Sequence, residues 1–486
     1  MPSISSPADP STAEAVAAPA AAHTEPAAGP RPAATDIRAA LPDLDLDDSP
    51  TALASHRTDR SAMPGSAHPL VVARPASTEQ VSALLSYANT HRIPVIPQGT
   101  RTGVSGAATA TEGAILLDMT RMDRILEVDA DDMIAVAQPG VIVADLAEAA
   151  AQKGLFYAPD PASSGIATLG GTVATNAGGM RCIKYGVTRE SVRSLEIVTA
   201  DGTVMRTRPR TVKTVAGLDL TGLIVGSEGT LAVVTEITVK LLAAPGLERG
   251  VVGLFPTLAQ GLAATNRIAS GARTPSRLEF MDGLCLEALR NHLPDADIPA
   301  GAGAWVMAVT DSIDGADADL AGFVAAMEGS GASSVTRAGT AEELEEALSV
   351  RRRLQPSARA LRGGSIDGDI AVPRSRLLQF AEQVPALADR FDVTIALGGH
   401  AGDGNLHPIL AFDPADAEAP ARAEEALETL SRLAQKMGGT MSGEHGVGLE
   451  KLAFLDTEMD PAALELQRRI KALFDPNGIL NPGKKF

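Results

Sequence analysis

The segment GGHAGDGNLHPIL (398–410) holds two histidines, His400 and His407, of the eight in 486 residues. Its glycines and the Asp403-Gly404 step disfavour a helix, so a tight loop is expected to fold the two imidazoles toward each other. A second segment, SGEHGVG (442–448), sets Glu444 beside His445. Two imidazoles and one carboxylate are the donor set of an open catalytic zinc site. The plainer alternative for the histidine pair alone is a satisfied polar loop. Zinc comes first by ligand type, and manganese or iron would accept the same donors. With His400, His407 and Glu444 on a cation, His445 stays free to take a proton near neutral pH. Asp403 and Asn405 read as loop-forming or supporting groups.

Two glycine-rich stretches supply a different chemistry. PQGTRTGVSG (97–106) and PDPASSGIATLGGTVATNAGG (159–179) let backbone N–H groups approach an anion closely, with Thr100, Thr102, Ser105, Ser163, Ser164 and Thr168 adding small donors. Neither has the Lys-Ser/Thr ending of a phosphate-binding loop or the dinucleotide pattern G-x-G-x-x-G in its strand–turn–helix setting. A nucleotide diphosphate and tight structural turns both remain open on spacing alone.

The elements that must position these groups alternate along the chain. PLVVARP, IPVIP, GAILLDM and MIAVAQPG read as strands. STEQVSALLSYANTHR reads as a helix capped by Ser77, with Gln80 at capping-box spacing and Val81, Leu84, Leu85 and Ala88 on one face. Asp201-Gly202 predicts a hairpin. After Pro245, strands are expected at VVGLFP, AWVMAVT, DIAVP and VTIALGG. Helices are expected at ADLAGFVAAME, EELEEALSVRRRL and LLQFAEQVPALADRF, and helical signals dominate after Asp416.

A net charge of −18 excludes nonspecific binding to nucleic acid, and two cysteines cannot build a disulfide framework. No apolar run reaches the roughly 20 residues of a membrane span, so no transmembrane segment is expected. The Ala- and Pro-rich start, through about residue 35, lacks a secretory pattern and is expected to be disordered. A cytoplasmic protein is the default, with peripheral attachment to a membrane left open.

From about His68 to Leu241 the chain resembles the FAD-binding domain of the vanillyl-alcohol oxidase/PCMH flavoprotein superfamily, through GTRTG, LGGTVATNAGG and GSEGTLAVVTE in order. The series continues in SRLEFMD, DIAVPRSRL, GHAGDGNLH, GEHGVG and DPNGILNPGK. It looks like the branch of the glycolate oxidase D-subunit, D-lactate dehydrogenase and D-2-hydroxyglutarate dehydrogenase. The resemblance implies an α+β fold: a two-part PCMH-type FAD-binding domain over 36–245, an α/β-sandwich substrate (cap) domain over 246–415, and a helical segment over 416–486 that returns to the flavin.

It further implies that Gln98, Gly99, Thr100, Arg101, Thr102, Gly103 and Ser105 wrap the FAD pyrophosphate. Pro161, Ser163, Ser164, Thr168, Gly171 and Thr172 would line the flavin and its ribityl chain, and Glu228, Gly229 and Val234 would meet the adenosine end. Residues 97–106 contain no histidine, so the FAD is expected to be non-covalent. His400, His407 and Glu444 are implied as metal ligands, His445 as the base and Arg351 as the clamp on the substrate carboxylate, although Leu348 stands where many relatives carry Trp. Asn481 and Lys484 resemble positions packed near the flavin, and a purely structural tail is the equal alternative.

The implied reaction is oxidation of a D-2-hydroxy acid to the 2-oxo acid. A cation chelated by hydroxyl and carboxylate lowers the hydroxyl pKa, an imidazole takes the proton, and flavin takes the hydride. Relatives acting on 2-hydroxyglutarate carry a lysine where Asp367 stands, so D-lactate or glycolate is favoured. D-2-hydroxyglutarate dehydrogenase is the alternative within redox chemistry. A metal-dependent hydrolase or a noncatalytic flavin subunit is the alternative outside it. The electron acceptor is left among a quinone, a cytochrome and an electron-transferring flavoprotein, and the oligomeric state is left open, a homodimer being one possibility.

Overall fold

The computed structural model describes residues 32–61, 63, 65, 67–293 and 298–486. Most of the N-terminal stretch expected to be disordered therefore lies outside the described residues, and a helix, Ala34–Ala40, begins at its end. Among the described residues the first half carries two main sheets and a two-stranded ribbon, Leu155–Phe156 with Leu242–Ala243. The smaller main sheet runs Asp45–Asp47, Val71–Arg74, Ile115–Asp118, Val95–Gln98, and its last two pairings are parallel. The larger is antiparallel, in the order Ile125–Asp129, Ile134–Ala137, Val233–Lys240, Val192–Val198, Val204–Arg206. Its last pair is closed by the Asp201-Gly202 turn, where Gly202 adopts φ 88°. The helix Thr78–His91 starts at Ser77, whose side chain accepts from the Gln80 N–H, and it buries Val81, Leu84, Leu85 and Ala88. That is the stripe its 3.6-residue periodicity predicts.

The second half is built on one antiparallel sheet. Its strands run Ser334–Ala338, Arg249–Phe255, Ala304–Thr310, Arg277–Asp282, Thr394–His400, Asn405–Phe412, Gly364–Asp367, with Ile370–Ala371 also paired to Asn405–Phe412. Helices cover both faces. One core gathers Leu262, Ile268, Leu320, Phe323 and Leu430, and the opposite one Leu286, Leu289, Leu344, Leu348 and Leu354. Central strands are accordingly buried along their whole length, which is why Arg277–Asp282 does not alternate. Fold class and architecture agree with the sequence-based expectation.

Two local departures have clear causes. LLQFAEQVPALADRF forms two helices, Leu377–Ala381 and Val384–Phe391, because Pro385 cannot supply an interior N–H and instead starts the second. The glycine-rich segment around His400 is a β-hairpin, with a four-residue connection between its strands. Gly404 turns the chain at φ 91°, and a Cβ there would stand 2.2 Å from the Val372 carbonyl. Register pairs His400 with Asn405 and Gly398 with His407. Opposed residues share a face, as do residues two apart, so both imidazoles project from the same side of the hairpin. Among the described residues, no helix is long and apolar enough to cross a membrane.

Candidate active site

A cavity of about 680 Å³ opens in the first half and reaches the second. Its wall contains Gln98, Gly99, Thr100, Arg101, Thr102, Gly103, Pro161, Ser163, Thr168, Gly171, Thr172, Glu228, Gly229 and Val234, and three residues of the second half, Gln355, Glu444 and His445, complete it. Ser105, Ser164 and Asn481 stand outside the lining. Ser105 accepts the Leu449 and Glu450 N–H groups on its carbonyl, and the Asn481 amide donates to the carbonyls of Ala107 and Glu228. Size and lining fit a dinucleotide cofactor. The volume lies within the usual range for such sites. Glycine clears the walls: a Cβ on Gly99 would stand 2.1 Å from Thr168 Oγ1. Arg60 and Arg101 add positive charge to the lining.

At the end of this cavity the hairpin imidazoles meet the SGEHGVG loop. His407 Nε2 lies 3.2 Å and His400 Nε2 3.6 Å from Glu444 Oε1. One donor atom from each of these three residues falls within 4.8 Å of the others, the spacing of ligands around a single cation. Gly178, in the NAGG stretch of the first half, makes room for the carboxylate: a Cβ there would stand 2.5 Å from Glu444 Oε2. The ring of His445 stacks on His407, with centroids 5.5 Å apart.

Glu279 is one of two buried acids in the cluster, with Asp369, that sequence reasoning missed. Fully buried in the central strand Arg277–Asp282, it accepts from His400 Nδ1 at 2.6 Å and from Arg351 Nε at 3.0 Å. This bond fixes the His400 tautomer and turns Nε2 toward Glu444, as carboxylates behind metal-binding histidines do. The Glu279 strand, RLEFMD, also holds Arg277 and Asp282, so the acid between Leu278 and Phe280 does not stand out in the sequence. Arg351 is not among the residues lining the cavity; its Nε is committed to Glu279, and that bond leaves its Nη donors uncommitted.

Asp369, also fully buried, organises the other side. Its Oδ2 accepts from the N–H groups of Glu444 and His445 at 3.0 and 2.8 Å, from Ser442 Oγ at 3.2 Å and from Lys451 Nζ at 3.4 Å. The electrostatics divide the histidines. Burial opposes a charged His400, but the Glu279 and Glu444 carboxylates overcome it and hold that imidazole well above its usual range. Burial lowers His445, only partly countered by Asp369, so a neutral ring able to accept a proton faces the cavity near pH 7. Burial likewise raises the Asp403 carboxyl, to about 6.

Comparison with known proteins agrees with this geometry. Residues 69–208 match the FAD binding domain family, and residues 246–485 match the C-terminal domain of FAD linked oxidases. The protein named glycolate oxidase subunit GlcD from Bacillus subtilis (strain 168) is 37% identical over 419 residues, covering 86% of this chain and 89% of the relative. This chain belongs to the FAD-linked oxidases. A D-lactate dehydrogenase from Archaeoglobus fulgidus is 38% identical to this FAD-linked oxidase over 425 residues, covering 87% and 92% of the two chains. The fold is shared with p-cresol methylhydroxylase, solved with substrate bound, at a TM-score of 0.75 and 18% identity over 93% of this chain and 95% of that one. As an FAD-linked oxidoreductase the protein brings its cofactor cavity against a cluster of three histidines and three acids.

Proposed function

We propose that this FAD-linked oxidase dehydrogenates a small D-2-hydroxy acid, D-lactate or glycolate, to the 2-oxo acid with the help of a divalent cation. One observation carries the reading: Glu444 and His445 belong to the wall of the FAD cavity and at the same time to the His400–His407 cluster. The names of the relatives supply the substrate class. FAD, when bound, would supply the hydride-accepting chemistry, a job no side chain can do. His400, His407 and Glu444 would hold the cation, zinc first by ligand type, whose chemistry there is Lewis-acid polarisation of the substrate hydroxyl. His445 takes the hydroxyl proton on its neutral ring. Arg351, buttressed by Glu279, offers a planar guanidinium to the substrate carboxylate. Asp367 disfavours a second carboxylate.

Anaerobic mixing of the purified protein with a panel of 2-hydroxy acids tests this directly. D-lactate or glycolate should bleach the flavin absorbance, at near-stoichiometric zinc, manganese or iron, and chelation should slow the bleaching. A protein that holds FAD but bleaches with no hydroxy acid, metal-loaded or not, would sink the proposal.

A further inference from the structure

Glu228 belongs to the lining of the FAD cavity, yet its carboxylate is fully buried and bonded to the second half of the chain. One carboxylate oxygen accepts the Val447 N–H at 2.8 Å, the other the Gly448 N–H at 2.8 Å, and Lys485 Nζ of the C-terminal tail stands 3.2 Å from the first. The backbone is gripped as well. The Glu228 N–H donates to the Ala174 carbonyl, and the Glu228 carbonyl accepts from the buried Asn481 amide at 2.7 Å. Glu228 holds φ 55°, a left-handed conformation that a residue with a side chain adopts only when its surroundings enforce it.

The loop it holds has no slack. Gly446 adopts φ 87°, and a Cβ there would stand 2.9 Å from Glu228 Oε1. Gly448 adopts φ 53°, and a Cβ there would stand 2.1 Å from the Ser105 carbonyl, which itself accepts the Leu449 and Glu450 N–H groups. The residues directly after His445 are therefore fastened to two stretches of the cofactor domain, at Ser105 and at Glu228.

We propose that Glu228 is a positioning residue: it registers the loop of Glu444 and His445 against the flavin cavity, and the C-terminal tail locks it in place. A carboxylate is suited to this because it accepts two N–H bonds at once, whereas an amide in the same pose points a donor at one of them. The inference rests on His445 being the proton acceptor of the proposed reaction.

The test uses the purified FAD-loaded protein. Read at saturating FAD, so that any change of affinity at this cavity-wall residue drops out, Glu228→Gln should leave metal content unchanged while flavin reduction by the hydroxy acid slows about 10²-fold, the cost of a misplacement of order 1 Å, with kcat falling more than KM changes. Amide exchange at Val447 to Glu450 should accelerate. Gly446→Ala strikes the same joint from the other side, so the double variant should be no slower than the slower single one. Weakened FAD binding with a normal reduction rate at saturating FAD would place the role of Glu228 at the cofactor and overturn the proposal, as would an additive double variant. If Glu228→Gln fails to fold, Lys485→Met removes the third partner and should show the same signature in weaker form; unchanged exchange and reduction there overturn the proposal. Should no hydroxy acid reduce even the wild type, the proposed function falls on its own, and exchange at Val447 and Gly448 still decides the joint.

Discussion

The cavity proposed for FAD draws most of its lining from three glycine-rich stretches, residues 97–108, 161–178 and 224–234, in which Gly, Ala, Ser and Thr predominate. The cluster at its end is assembled from charged side chains that five separated segments bring together: Glu279, Arg351, Asp369, the His400–His407 hairpin, and the loop from Ser442 to Lys451. The difference predicts how each region fails. A wall of small residues survives the loss of a single hydroxyl but not added bulk: a Cβ at Gly99 would stand 2.1 Å from Thr168 Oγ1. A buried set of opposite charges survives small changes of volume but not the loss of one member, because its partner is then left unpaired out of water.

His445 should expose the contrast most strongly, since the proposed reaction gives it the substrate proton. His445→Ala should slow flavin reduction by the hydroxy acid by ~10²–10⁴-fold, the usual contribution of general-base catalysis. FAD and metal content should stay unchanged, and stopped-flow absorbance with metal analysis of the same sample reads both. A reduction rate near wild type would remove His445 from the reaction.

Glu279 comes next, through the cation rather than the proton. Glu279→Gln keeps the volume but gives His400 and Arg351 a neutral partner, and metal affinity should fall by about 10–100-fold. Competition with a chromophoric chelator measures it. Thr100→Ala, a comparable loss in the cavity wall, should leave metal affinity untouched. Equal metal affinity in wild type and Glu279→Gln would show that the carboxylate does not support the cation.

The same contrast decides what could be read from the sequence. The cavity was legible because its residues are consecutive: GTRTG, LGGTVATNAGG and GSEGTLAVVTE name most of the wall, and local turn chemistry is what a linear chain displays. His400, His407 and Glu444 were legible through residue type. Glu279 and Asp369 were not, because their partners are 121 and 76 residues away, to His400 and His445 respectively. Nothing local distinguishes a buried acid from a surface one until both faces of its sheet are known to be covered. The hairpin was read as a loop because its glycines, needed for close strand approach and for the turn at Gly404, resemble loop composition. Gly178 carries the reverse lesson. It sits in a cofactor motif, yet the space it leaves is filled by Glu444 from the other half.

Lys484 is the place where the two plans meet, a charge set behind a wall of backbone. It is 2% exposed, its ammonium donates to the carbonyls of Ala107 and Thr109, and burial pushes its pKa down to about 7 despite Asp59 and Glu228 nearby. The unfolded value is about 10.4. Between the two, the unfolded chain binds more protons than the folded one, so stability rises with pH over that window and gains nothing further above it. Thermal unfolding from pH 7 to 10 should show this rise, at most about 1.4 kcal/mol per pH unit, and Lys484→Met should flatten it. An identical slope in the variant would assign the pH dependence to other groups.

The smallest effect should come from Asp367, an exposed carboxylate bonded to the cavity-lining Gln355. Gln355 lines the cavity beside Glu444 and His445, and its Nε2 donates to Asp367 Oδ2 at 2.8 Å. A substrate held by its hydroxyl and first carboxylate would carry a second carboxylate toward this pair, so Asp367 would oppose it. Asp367→Lys replaces repulsion by attraction and should raise kcat/KM for D-2-hydroxyglutarate relative to D-lactate by about tenfold, or 1.4 kcal/mol. The gain stays modest because solvent screens exposed charges, and it should shrink as salt is added. A ratio insensitive to both the substitution and salt would mean that Asp367 does not face the substrate side chain. Preference for a small monocarboxylic acid would then rest on the shape of the space around Gln355 rather than on charge.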